Sequence, residues 1–154
     1  MATDEVRKAL REHGLADQHL IESQSASVSN LRRVWNYYST GRKAGAANLM
    51  RSRNTSLEGV ALQFTKEGLR VLDKKEGFRP ADPSFSSYIR RIRSVRLNDG
   101  TIVRAWVYKA APQRVSRSVH KPRRAYVEVM LRGAREHRLS NACMEEIQAI
   151  ETID

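Results

Sequence analysis

Along the chain the spacing of apolar positions changes period several times, and each change predicts an element. In "TDEVRKALREHG" (3–14), Val6, Ala9, Leu10 and His13 recur at helical spacing. Thr3 is placed to cap this helix, Asp4 and Glu5 complement the positive end of its dipole, and Gly14 stops it. The stretch "QHLIESQSASVSNLRRVWNYYS" is β-branched and aromatic at intervals but interrupted by Ser and Asn. It predicts one strand around Leu20–Val28 and another around Arg33–Ser39. "GRKAGA" reads as a loop, "ANLM" as the start of a short strand and "RSRNTS" as a turn. In "LEGVALQFT" the residues Val60, Leu62 and Phe64 alternate onto the apolar face of a further strand.

Thr65 can cap a helix through "TKEGLRVLDKKEG", with Leu69 and Leu72 on one face. Gly77 lies just past its end and Pro80 forbids continuation. "RPADPSFSS" (79–87), with two prolines and three serines, is a loop. In "YIRRIRSVRL", Ile89, Ile92 and Val95 recur every three residues, which is a helical spacing. The β-branched content and the "NDG" that follows at once favour a strand instead. Gly100 then supplies the left-handed position of a hairpin loop, and "TIVRAWVYKA" returns as the partner strand. After the loop "APQRVSRSVHK", Pro122 opens a helix to about His137, burying Tyr126, Val127, Met130, Leu131 and Ala134. Ser140 caps a last helix with Met144, Ile147 and Ile150 inward. Helices do not alternate regularly with strands, which disfavours a doubly wound parallel sheet. The expectation is one α+β domain over residues 1–154, with about six strands in a curved mixed sheet or barrel and flanking helices.

Composition narrows the class. A chain of 154 residues with 40% hydrophobic and 29% charged content is one globular domain. No apolar run approaches the length of a membrane span, and the charged start carries no apolar signal segment. Neither feature points to a membrane. The one cysteine, Cys143, allows no internal disulfide, which fits a reducing cytoplasm. The net charge of +11 permits a polyanionic partner. The basic clusters "YIRRIRSVR", "RSVHKPRR" and "LMRSR" have only Tyr88 and Tyr126 near them for base stacking, so solvated strand and loop faces are expected rather than specific nucleic-acid binding.

Most familiar chemistries lack their residues. His13, His19, His120 and His137 form no i,i+4 pair and have no cysteine companions, so neither a metal nor another cofactor is expected. There is no G-x-S-x-G, no Walker loop and no G-x-G-x-x-G. Cys143, without a nearby His in sequence, reads as a buried inert thiol. What remains is carboxylate acid–base chemistry. Glu76 falls in the last turn of its helix, where the dipole is negative and a carboxylate is disfavoured. Partial burial would then raise its pKa towards the range a general acid or base needs. The plain alternative is a solvated surface Glu softened by Lys74 and Lys75. Tyr88, Tyr108 and Tyr126 are candidates for polar-tipped walls of a shared pocket, although tyrosines also commonly pack with the hydroxyl at the surface.

Several of these stretches together resemble the γ-glutamylcyclotransferase family. "SLEGVALQFTKEGLRVLDKKEG" is similar to its V-x-G-V strand and the helix ending L-D-x-x-E-G, and "AANLM" (46–50) to its A-x-N strand. "DGTIVRAWVYKA" matches a strand ending in Tyr. "RRAYVEVMLRGAREHRLS" with "IQAIE" matches the closing helices. The resemblance runs from about residue 4 to the end, in the family's order. It implies that Glu76 is the acid–base catalyst, that Tyr88, Tyr108 and Tyr126 line the substrate pocket, and that the substrate is a small γ-glutamyl compound. The implied reaction is attack of the γ-glutamyl α-amine on its own γ-carbonyl, giving 5-oxoproline and a free amine without a cofactor. Because nucleophile and electrophile share one molecule, little entropy is lost in bringing them together.

At the start of the chain the resemblance breaks. The family opens with a strand leading into Y-G-S-N, a loop whose backbone amides hold the substrate's carboxylate and oxyanion. This chain begins in what resembles the helix after that loop, and Ser29-Asn30 follows Val28 where a glycine should be. If Met1 is an internal methionine of a longer frame, the residues encoded upstream are expected to form a hydrophobic strand ending in Y-G-S-N. An edge left open by a missing strand would allow a homodimer. Two other readings stand beside the enzyme. One is a non-catalytic binding or regulatory member of the fold; the other is a basic nucleic-acid-associated protein supported by charge alone.

Overall fold

The computed structural model describes residues 2–154, so Met1, on which the expectation about the start of the chain rests, lies outside them. Two long strands organise the fold: β1 (Leu20–Ser39) and β2 (Ala44–Phe64) pair antiparallel along almost their whole length. The two strands expected over 20–39 are one, and so are the two expected around "RSRNTS". The interruptions in the hydrophobic pattern are irregularities in the ladder rather than strand ends. Asn30 and Asn54, both at positive φ (59° and 60°), face each other there, and the Asn54 N–H donates to Asn30 Oδ1 at 3.2 Å. The register jumps from Ser29↔Ser56 to Leu31↔Arg51, which leaves several β2 residues opposite one on β1. Thr55 Oγ1 bonds the carbonyls of Leu31 and Ser52 across this bulge. Asparagine tolerates the left-handed region, so the chain bends without leaving the sheet.

Strand β3 (Tyr88–Leu97) joins β1 only at Ala26↔Leu97 and Ser27↔Arg96, and pairs with β4 (Ile102–Ala110) over its whole length. Gly100, at φ 85°, takes the left-handed position of their turn, as expected. The sheet order is β2-β1-β3-β4. Among the described residues all strand pairings are antiparallel, so the sheet is not mixed. Beyond β3 the far half of β1 is covered by the segment after β4. Ser116 and His120 donate their N–H groups to the carbonyls of Asn36 and Trp35, each at 2.7 Å. The curl of the sheet is held by a side chain. Asn48 of β2, fully buried, accepts the Ala110 N–H of β4 at 2.9 Å.

Helices cover the sheet in two pairs. α1 (Thr3–Glu12) and α2 (Lys66–Lys75) enclose Val6, Ala9, Leu10 and Val71 against Leu20 at the start of β1. Burying Leu10 contributes on the order of 2 kcal/mol. Thr3 does not cap α1: Ala2 holds the cap position with no side-chain bond. The Thr3 N–H and hydroxyl donate instead to the carboxylate of Glu136. That glutamate closes α3 (Arg124–Glu136), so Thr3 ties the first helix to the third. Pro122 lies just before α3 rather than in its first turn. α4 (Asn141–Gln148) is capped by Ser140, whose Oγ accepts the Cys143 N–H at 3.1 Å. Val127, Ala134, Cys143 and Ile147 form the α3–α4 core. A third, smaller cluster of Tyr37, Ala46 and Ala110, with Tyr88 packed on it, lies where the two ends of the sheet approach each other.

Candidate active site

Helix α2 ends in a way that fixes Glu76. Thr65 Oγ1 accepts the Gly68 N–H at 3.2 Å at the start of the helix, and Glu76 is the last residue with helical φ/ψ (−79°, −3°). Gly77 follows at φ 65°. Its N–H reaches the Lys74 carbonyl at 3.0 Å, and the Phe78 N–H reaches that of Asp73 at 2.8 Å. These two bonds are the Schellman closure of a helix, and they satisfy carbonyls the helix leaves open. Gly77 has a second constraint, because a Cβ there would stand 2.9 Å from Ser87 Oγ. The Ser87 N–H donates to the Gly77 carbonyl at 2.9 Å, so the residue beside Glu76 is stitched to the residue beside Tyr88. Between these points the 79–87 loop closes on itself. The buried Ser86 hydroxyl bonds both the N–H and the carbonyl of Arg79, and the Gln113 amide donates to the Pro83, Ser84 and Ser86 carbonyls.

The three tyrosines come from three elements. Tyr88, first in β3, stands edge-on to Tyr37 (centroids 5.4 Å apart) and donates its hydroxyl to the Ala47 carbonyl of β2 at 2.7 Å. Tyr108 of β4 donates to Asp73 Oδ1 at 2.6 Å, one turn before Glu76 on α2. Tyr126 of α3 packs edge-on to Trp35, and the Arg42 guanidinium lies 4.7 Å from its ring centre. Asp73 also pairs with Arg90 at 3.3 Å, and the Arg90 guanidinium is stacked between Phe78 and Trp106 at 4.7 and 4.8 Å. Among the described residues the buried Arg90 Nε finds no hydrogen-bond partner.

Electrostatics link these groups to Glu76. Burial pushes the Glu76 carboxyl above its usual range, and the charges of Arg42 and Lys75 oppose that only in part. Among the described residues its carboxylate forms no ion pair. Burial likewise raises Tyr88, Tyr108 and Tyr126 well above the ordinary phenol range, and the negative charge of Glu76 adds to each. For Tyr108 the bond to Asp73 raises it further. The charge of one carboxylate therefore bears on all three phenols, of which Tyr88 and Tyr108 donate hydrogen bonds.

A cleft of about 270 Å³, lined by Ser25, Ser27, Ser56, Glu58 and Arg96, lies at the opposite end of β3 from Tyr88. It shares no residue with the Glu76 cluster, and none of the acid–base chemistry considered above reaches it. Among the described residues no three His, Cys, Asp or Glu side chains gather as metal ligands would. No helix of these residues is long and apolar enough to cross a membrane.

Asp73, Arg90 and Arg42 are members of the cluster to which the sequence alone assigns no role. Asp73 stands three positions before Glu76 on one helix, a spacing that places both on neighbouring parts of a face, so its involvement was readable. Arg42 lies in a short stretch read simply as loop, and nothing local marks it.

The comparisons with known proteins agree with this architecture. Residues 56–147 match the model of the AIG2-like family. No curated protein sequence matches the chain. Among solved structures, a gamma-glutamyl cyclotransferase superposes with a TM-score of 0.73 at 19% identity, covering 96% of this chain and 85% of that one. An uncharacterised Homo sapiens protein superposes equally well (0.73, 19% identity, 99% and 86% covered). YkqA from Bacillus subtilis does so at 15% identity, with 98% of this chain and 53% of YkqA covered. The fold is thus γ-glutamyl-cyclotransferase-like, α+β with a curved antiparallel sheet, and the chain belongs to the AIG2-like family.

Proposed function

We propose that the protein converts a γ-glutamyl amino acid, peptide or amine to 5-oxoproline and the free amine, with Glu76 as general acid and base. The observation that carries this reading is the carboxylate itself. It is half-buried at a closed helix end, its pKa is raised by burial, and its charge adds to the upward shift of three buried tyrosines. In the reaction Glu76 accepts a proton from the substrate's α-ammonium. The freed amine forms a bond to the γ-carbonyl carbon, and Glu76 passes the first proton to the departing nitrogen as the original C–N bond breaks. The carboxylate so restored takes the second proton from the ring nitrogen, and that proton leaves with the amine product as its ammonium. A carboxyl with a pKa moved towards neutrality can serve in both directions. The substrate would also bring its own positive charge to the ionised carboxylate, offsetting what burial costs it.

The second reading, a non-catalytic binding module of the same fold, draws on the tyrosines. The hydroxyls of Tyr88 and Tyr108 are already committed to Ala47 and Asp73, as expected of residues that build a wall. Incubation with a panel of γ-glutamyl compounds, following 5-oxoproline and free amine together, separates the two. Stoichiometric appearance of both products supports the enzyme, whereas saturable binding without either product supports the module.

A further inference from the structure

The loop joining β1 to β2 carries a cation whose placement the acid–base reaction does not use. Thr40–Lys43 form a tight turn, with Lys43 at φ 50° and its N–H on the Thr40 carbonyl at 3.3 Å. Its base is pinned: the Gly45 N–H donates to Lys121 at 2.9 Å, and a Cβ on Gly45 would fall 1.8 Å from the His120 carbonyl oxygen. Its tip is pinned as well, because Arg123 Nε donates to the Arg42 carbonyl at 3.0 Å. Of the cations packed around the turn, Lys121 pairs with Glu151 and Arg123 with Asp154. Arg42 is in none of the ion pairs formed among the described residues. Its guanidinium instead lies over the Tyr126 ring, and its charge is felt by Glu76 and Tyr88.

We propose that Arg42 is the anchor for the α-carboxylate of the γ-glutamyl group, a carboxylate-binding side chain held over the Tyr126 ring. The proposal rests on the cyclotransferase reading for the identity of the ligand and on the loop geometry for the site. The substrate's amine and α-carboxylate share one carbon. An amine held at Glu76 therefore brings a second carboxylate beside the first, and the two repel unless a cation lies on the far side. The field of Arg42 already reaches Glu76, Tyr88 and Tyr126. A guanidinium stacked on an aromatic ring has lost much of its freedom before the ligand arrives, and its planar fork matches a carboxylate in two bonds. Its exposure leaves the fork open to a ligand.

The test compares 5-oxoproline with its α-carboxamide by isothermal titration on the full chain. Wild type should bind the carboxylate about tenfold or more tightly than the amide, in line with a charged hydrogen bond. Arg42→Ala and Arg42→Gln should both bring that ratio near one, and Arg42→Lys should retain part of it, with unchanged melting curves. In turnover, Arg42→Ala should raise KM by a similar factor while kcat moves little. A carboxylate preference that survives in both neutral variants, or that wild type never shows, overturns the anchor. If Arg42 governs carboxylate binding but no γ-glutamyl compound yields 5-oxoproline, the anchor stands and the enzymatic reading falls. Turnover that is indifferent to Arg42 gives the converse.

Discussion

Replacing Asn48 by alanine should open the curled sheet, and its hydrogen bonds set the magnitude. Asn48 and Ala110 are each 1% exposed, so water does not reach either. Asn48 Oδ1 accepts the N–H of Ala110 at 2.9 Å and of Leu49 at 2.7 Å, while its Nδ2 donates to Asn36 Oδ1 at 2.9 Å. Without the side chain the Ala110 N–H is left dry and unpaired, at about 1–3 kcal/mol; with the net loss of two further bonds the total is roughly 2–4 kcal/mol. For a domain of this size that lowers the melting temperature by roughly 5–15 °C. The change also bears on the candidate site, because Ala47, next in the chain, receives the Tyr88 hydroxyl. Asn48→Asp keeps both acceptor bonds but buries a charge at neutral pH. It should therefore lie closer to wild type at pH 4, where the carboxyl is protonated, than at pH 8. Thermal and urea unfolding followed by circular dichroism measure both variants. If Asn48→Ala unfolds within about 1 kcal/mol of wild type, the Asn48–Ala110 bond does not hold the sheet closed and this reasoning fails.

Two further outcomes follow from other parts of the molecule. Glu76→Gln should be more stable than wild type near pH 7.5, with the difference shrinking as pH falls towards 4.5, the usual carboxyl value. The sign follows from linkage. A carboxyl whose folded pKa is raised binds more protons folded than unfolded, so stability is lost as pH rises from 4.5 through the raised value. Melting curves across pH measure this, and a constant gap would contradict it. Gly45→Ala should cost about 3 kcal/mol or more in urea unfolding, because the new methyl meets the His120 carbonyl and displaces the 120–121 segment that covers β1. A near-neutral result would mean that the 120–121 segment yields easily.

Where the sequence could be read, the signal was local and strong. The termination of α2 at Gly77, the Thr65 and Ser140 caps and the Gly100 hairpin all depend on one residue's backbone or side-chain chemistry. Strand number was misread, as six instead of four, because "SVSN" and "RSRNTS" carry turn residues. Asn30 and Asn54 use that turn chemistry to bend paired strands, and only their mutual hydrogen bond, long-range in sequence, reveals it. Thr3 was read as a cap for the same reason, since its partner Glu136 lies at the far end of the chain. The site divides along the same line. Glu76 was marked by an unfavourable dipole position and by the resemblance of L-D-x-x-E-G. The three tyrosines were marked mainly by that resemblance. Arg42 became visible only when the β1–β2 turn was seen to fold over Tyr126.

The most direct test of the central claim is the initial rate of 5-oxoproline release by wild type and by Glu76→Gln on the best γ-glutamyl substrate. The amide keeps the shape of the side chain but cannot carry a proton. Removing a general base should lower the rate by about a hundredfold or more while the variant remains folded. A folded Glu76→Gln that retains more than about a tenth of the wild-type rate would contradict the assignment of Glu76 as the acid–base group.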